Sequence, residues 1–167
     1  MKRVIVIGSG GAGKSTFSRR LGDRLKIEVI HLDQLYWKPG WIETPAGLWA
    51  EIVKQHLTRD TWIMDGNFGG TRSMRMAACD TVIFLDTSRW VCIYRILKRV
   101  VIYRNKRRPD MAEGCYERLD WDFIKWVWKY SERGRPKVMA EVERFANKKL
   151  VVLKSKGDVE SFLARLG

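Results

Sequence analysis

The chain has 167 residues, 46% of them hydrophobic and 31% charged, with a formal charge of +13. That length and balance describe one globular domain with a real core and exclude a disordered chain. No apolar run approaches the ~20 residues that span a bilayer, and the first apolar stretch is too short for a signal peptide.

Arg3-Val4-Ile5-Val6-Ile7 is short, β-branched and apolar, the pattern of a buried parallel strand. Gly8-Ser9-Gly10-Gly11-Ala12-Gly13-Lys14-Ser15 follows, and Thr16 then opens a segment with Phe17, Leu21 and Leu25 at helical spacing. Strand, glycine loop and helix in that order form the context of a phosphate-binding P-loop. Glycines allow close backbone approach, successive N–H groups make an anion nest, and the helix N-terminus adds positive potential. In this motif Lys14 reaches the β- and γ-phosphates and Ser15 ligates Mg²⁺. The loop therefore implies a nucleoside triphosphate, taken as ATP, with Mg²⁺.

A second strand over 28–32 ends at Asp33, and an aromatic, proline-containing segment covers 34–44. Thr44 and Pro45 suit the N-cap and first turn of a helix over 46–57. A third strand, 61–64, ends in Asp65-Gly66-Asn67, and a short helix follows over 72–79. The fourth strand, 81–85, ends at Asp86, and Ser88 is placed to cap a long helix to about 104. Helices over 116–132 and 136–146, a fifth strand over 150–153 and a helix over 159–166 complete the chain. This alternation predicts a three-layer α/β fold: a five-stranded parallel sheet covered on both faces, with ligands at the strands' carboxyl ends. No repeat or low-complexity tract interrupts it.

Three acids recur at those carboxyl ends. Asp86 reads as a turn or cap residue. Asp65 ends an apolar strand, the place of an acid that supports Mg²⁺ together with Ser15. Asp33, at the second strand's mouth, is positioned to take a proton from an attacking hydroxyl. The three cysteines (Cys79, Cys92, Cys115) have no metal-ligand spacing and read as thiols of a reducing cytoplasm. His31 and His56 are too few and too distant for a zinc site.

Between Arg89 and Arg108 lie eight basic residues and no acid. Such a run is a solvated helix face, a lid over phosphates, or a surface for non-specific DNA contact. With a polyanionic ligand already implied, phosphate contact is favoured. Tyr36, Trp37 and Trp41 either stack on an acceptor or pack the loop, with packing favoured. The stripe through Trp121, Phe123, Lys125, Trp126, Trp128 and Tyr130 reads as core rather than as a stacking platform. No guanine-reading tetrapeptide is present, since Asn147-Lys148-Lys149-Leu150 lacks the aspartate, and the chain is too short for a motor core.

The layout resembles the adenylate kinase and shikimate kinase branch of P-loop kinases. Within it the chain closely resembles DNA topology modulation proteins, a flagellar-regulator-related family. The P-loop, residues 31–41, Trp62-Ile63-Met64-Asp65-Gly66-Asn67-Phe68, residues 81–86, Arg107-Arg108-Pro109-Asp110-Met111 and Glu117-Arg118-Leu119-Asp120-Trp121 carry that resemblance over nearly the whole chain. It implies a magnesium role for Asp65-Gly66 and an acceptor-hydroxyl contact for Asp33. It also implies a lid arginine at Arg108-Pro109 and an adenine-contacting loop at Lys156-Gly157. Adenylate kinases have Phe-Pro-Arg where this chain has Asn67-Phe68-Gly69, which argues against a nucleoside monophosphate acceptor.

The combined expectation is an ATP-dependent phosphotransferase with an acceptor-side segment at 34–58 and a mobile basic lid at 99–115. Arg95 and Arg99 share a helix face with Lys98 beside them, while Arg104, Arg107 and Arg108 fold over from the loop. Arg108 is the first choice and Arg99 the second for stabilising the transferring phosphoryl group. The acceptor is a hydroxyl or phosphate of a small molecule, a nucleoside or a nucleotide. The alternative is an ATP-gated DNA-binding protein.

Overall fold

The computed structural model describes residues 1–104, 106 and 108–166. At its centre is β1 (Arg3–Gly8), whose apolar residues Val4 to Ile7 are fully buried. It pairs in parallel with β5 (Trp62–Asp65) on one side and β6 (Thr81–Leu85) on the other. Outside these lie β2 (Val29–His31) and β7 (Lys149–Leu153), giving the order β2-β5-β1-β6-β7.

Because side chains alternate along a strand, β1 feeds two cores. Val4 and Val6 face α1 (Lys14–Leu25), α5 (Arg89–Ile102) and α7 (Lys156–Ala164). Ile5 and Ile7 face α3 (Ala46–Leu57), α4 (Gly69–Ala78) and the later turns of α6 (Trp121–Arg144). The five-stranded parallel sheet with two helical layers matches the expected architecture. The chain leaves β1 for the β2 edge and only later builds β6 and β7, so the ligand crevice opens at the carboxyl end of β1.

Several local expectations are corrected. Leu32 and Asp33 do not end a strand: β2 stops at His31, and α2 (Leu32–Tyr36) begins there. Residues 34–44 hold a small antiparallel hairpin, β3 (Trp37–Lys38) with β4 (Ile42–Glu43). Pro45 is the N-cap of α3, and the Thr44 hydroxyl instead donates to the Tyr36 carbonyl at 2.5 Å, tying the hairpin to the helix. Ser88 is the N-cap of α5 but makes no side-chain cap bond, and Asp86 accepts from Arg135 Nε at 3.1 Å.

The two helices expected over 116–146 are one, the 24-residue α6, with Pro136 inside it. An interior proline costs a helix about 3 kcal/mol or more. Burial of Val127, Tyr130, Val138 and Val142 along one side offsets that cost. The helix starts five residues later than expected because Asp120 caps it, accepting from the Asp122 and Phe123 amides at 3.0 Å each. Trp121 and Trp128 are not core: both are exposed, and Trp128 meets Trp90 edge-on with ring centroids 4.7 Å apart.

Candidate active site

The glycine loop adopts the curvature its composition allows. Gly11 and Gly13 have φ of 75° and 94°, a region that side chains with a Cβ rarely enter. A Cβ on Gly10 would stand 2.5 Å from the Phe123 ring. Gly10, Gly11, Gly13, Lys14, Ser15 and Thr16 line a cavity of about 740 Å³. Gly8, Ser9 and Ala12 are buried. Asn67 clamps the start of the loop, donating to the Gly8 carbonyl at 2.8 Å and accepting from its amide at 3.2 Å. Arg95 Nη1 and the Thr87 hydroxyl both donate to the Ala12 carbonyl, at 3.1 and 3.3 Å.

Lys14 Nζ donates to the Gly8 and Ser9 carbonyls at 3.1 and 2.9 Å. Burial lowers its pKa, against the pull of Asp33 and Asp65. Asp33, on α2, lines the same cavity. Burial raises its pKa; Lys14 and Arg108 oppose that rise, while Asp65 and Asp110 add to it. A carboxylate so placed is a better proton acceptor than one in water.

Asp65 is held from the opposite side of the strand ends. Its Oδ1 pairs with His31 Nδ1 at 2.8 Å, and its Oδ2 is buried without a partner. Burial favours the neutral imidazole, yet the hydrogen bond and charge of Asp65 raise the His31 pKa above its ordinary value. Sequence reading gave His31 no part in the site, because one histidine at a strand end carries no motif.

The lid segment brings an acid that sequence reading also missed. Burial works against a charged Asp110, but Arg108, helped by the Ser15 hydroxyl, holds its carboxyl well below the usual carboxylate range. Arg108 donates to Asp110 Oδ2 at 2.7 Å and to Glu117 Oε2 at 3.0 Å, and Arg99 Nε donates to Glu117 Oε1 at 2.8 Å. Glu117 thus ties the two arginines into one cluster above the P-loop. Arg99 and Arg108 line the cavity, as does Arg95. Lys98, Arg104 and Lys106 face solvent, and Arg107 lies outside the described residues.

The lid and the acceptor-side segment are bonded to each other. Gln34 Nε2 donates to the Pro109 carbonyl at 2.5 Å, the Gly40 amide to the Gly114 carbonyl at 3.1 Å, and Trp41 Nε1 to the Tyr116 carbonyl at 3.1 Å. The three aromatics after Asp33 divide in function. Tyr36 packs on Trp49 and Phe68, whereas Trp37 and Trp41 line the cavity. On the far side of β1, Phe123 and Trp126 also line it, stacked at 5.9 Å and 12°. Lys156 and Gly157 are exposed in the first turn of α7, where Ser155 and Asp158 form a capping box.

Arg75 shapes the loop after β5. It is fully buried and donates to the Gly66, Asn67 and Phe68 carbonyls at 3.0, 2.6 and 3.0 Å. Burial lowers its pKa to about 9. Replacing it by leucine strips those carbonyls of their donor, and Arg75→Leu is expected to destabilise the fold by about 3 kcal/mol. Urea unfolding with an unchanged slope checks this; a midpoint equal to wild type would mean that the loop holds itself.

The donor set suits Mg²⁺. The Ser15 hydroxyl and the carboxylates of Asp65 and Asp110 are hard oxygen ligands, and Asp65 Oδ2 is an orphaned buried oxygen. Among the described residues no cluster of three His, Cys, Asp or Glu forms a cage.

The parallel sheet and glycine loop define an α/β P-loop NTPase fold. The chain is similar to a shikimate kinase from Bacteroides thetaiotaomicron, at 17% identity over 99% of this chain and 95% of that one, with a TM-score of 0.58. It is also similar to a shikimate kinase from Acinetobacter baumannii solved with shikimate, at 14% identity, 99% and 90% coverage and a TM-score of 0.65. A deoxyadenosine kinase from M. mycoides, solved with its products dCMP and dCDP, matches at 16% identity, 98% and 97% coverage and a TM-score of 0.54. No family model matches the sequence, and no curated protein sequence does. These neighbours are kinases, and at such identities the likeness shows the shared fold. No helix among the described residues is long and apolar enough to cross a membrane.

Proposed function

We propose that this protein is an ATP-dependent phosphotransferase that moves the γ-phosphoryl group to an acceptor hydroxyl. The observation that carries this reading is a single cavity lined by the P-loop, by Lys14, by the half-buried Asp33 and by the arginines of the lid. A nucleotide switch needs the loop and lid but has no use for a half-buried carboxylate on the acceptor side.

In this reading the loop amides and Lys14 hold the phosphates, and Arg99 and Arg108 neutralise charge on the transferring group. Asp33 takes the hydroxyl proton. The acceptor oxygen forms its bond to the γ-phosphorus as the bond to the β–γ bridging oxygen breaks, and ADP leaves. Ser15, with Asp65 and Asp110, would hold Mg²⁺, which supplies Lewis-acid neutralisation of the phosphates when bound. Phe123 and Trp126 offer the stacking faces for the base, in place of the Lys156-Gly157 loop. The ordered motifs from residue 31 to residue 121 support placing the chain with the DNA topology modulation proteins.

Incubation with γ-labelled ATP, Mg²⁺ and two acceptor pools, small metabolites and 5′-hydroxyl oligonucleotides, tests the reading. Label in one defined product is the expected result. Label released only as free phosphate, and more of it with duplex DNA, would replace the transferase with an ATP-gated DNA binder.

A further inference from the structure

The chemistry of the acceptor is written on the β2–β5 side of the cavity. Asp33, Trp37, Trp41, Glu43 and Phe68 line that side. Trp37 and Trp41 meet edge-on with ring centroids 5.5 Å apart, which leaves indole surface available to a flat ligand face. Glu43 is exposed, at the end of the hairpin, where the Tyr36 hydroxyl engages it. Asp33 and Glu43 are acceptors of hydrogen bonds when ionised and offer nothing to another anion.

Two of the arginines lining the cavity are paired with acids. Arg108 is shared between Asp110 and Glu117, and Arg99 is bound to Glu117. Arg118 sits against the Trp41 face, 5.8 Å from the ring centroid, and Arg19 is exposed at the rim on α1. Tight recognition of a carboxylate or phosphate uses a planar arginine fork aimed at it. Here the wall beside Asp33 offers carboxylates and indoles instead.

Resting on the phosphotransferase reading, we propose that the acceptor is a neutral or cationic ring bearing hydroxyl and amine groups. Its flat face lies against Trp37, with Trp41 edge-on beside it at 69°, its amine donates to Glu43, and its reacting hydroxyl faces Asp33. Nucleosides and amino sugars share this chemistry. Transfer converts the hydroxyl to a phosphate ester, with the proton going to Asp33 and ADP as the other product. Hydroxy acids and nucleoside monophosphates are disfavoured because each would set an anion beside Asp33 and Glu43.

The full chain, with Mg²⁺ and a non-hydrolysable ATP analogue, is titrated calorimetrically with adenosine, cytidine, glucosamine, shikimate and AMP. ADP formation from ATP is measured in parallel with the same five probes. At least one amine-bearing neutral or cationic probe is expected to bind about tenfold more tightly than shikimate and AMP. Glu43→Gln should weaken that probe about fivefold while leaving the analogue's affinity unchanged, and Trp37→Leu should do the same through the lost ring face. Adenosine or cytidine as the preferred probe marks nucleoside chemistry, and glucosamine marks amino-sugar chemistry. Preference for shikimate or AMP, or no binding of any amine-bearing neutral or cationic probe, overturns the inference. Selective binding of such a probe without ADP formation supports the assigned ligand class and overturns the phosphotransferase reading instead.

Discussion

Asp33→Asn is expected to lower phosphate transfer by about 10³-fold while ATP-analogue affinity stays within about twofold, since general-base removal acts on the chemical step. The amide keeps the shape and hydrogen-bonding reach of the carboxylate but cannot accept a proton. The wild-type rate carries a pH signature of the same group. Burial raises the Asp33 pKa, so the base is lost to protonation at a pH above the ordinary carboxylate value of about 3.9. Turnover therefore falls as pH drops through that raised pKa, and the fall is absent from the residual activity of Asp33→Asn. Single-turnover rates against pH, for both proteins, measure this. Wild-type transfer by the asparagine variant would move the base elsewhere.

Lys14→Met should cost a similar factor, about 10³ in turnover, because it removes a positive charge aimed at the phosphoryl group being transferred. Unlike the Asp33 change, it should also weaken ATP binding. Lys14 donates to the P-loop carbonyls of Gly8 and Ser9, so its ammonium lies inside the curve of the glycine loop. Methionine preserves the stem and deletes the charge. Turnover within tenfold of wild type, with ATP affinity intact, would exclude Lys14 from phosphate contact and leave the arginines of α5 and the lid to do that task.

These two residues were legible for different reasons. Lys14 belongs to a contiguous motif, in which eight consecutive residues specify backbone shape and charge at once. Asp33 was legible only as an acid after an apolar run. The structure puts it on a helical turn rather than a strand end, yet on the same cavity wall. Asp110, Glu117 and Arg75 were not legible. Their partners lie apart in the chain, and no spacing rule connects Asp110 to Ser15 or Glu117 to Arg99. The aromatic segment was half legible: its composition marked an unusual loop, but which rings pack and which line the cavity depends on the hairpin register.

The amino-acid sequence alone determined the parallel α/β class, the P-loop and the strand end that carries Asp65. These follow from local periodicity and from residues whose chemistry is complete within a few positions. Tertiary structure alone decided that α6 runs unbroken through Pro136, that Asp110 joins Ser15, and that the lid and hairpin are bonded into one roof. Each of those depends on long-range burial and pairing, where packing energy outweighs local preference and the partners are set by the folded path of the chain.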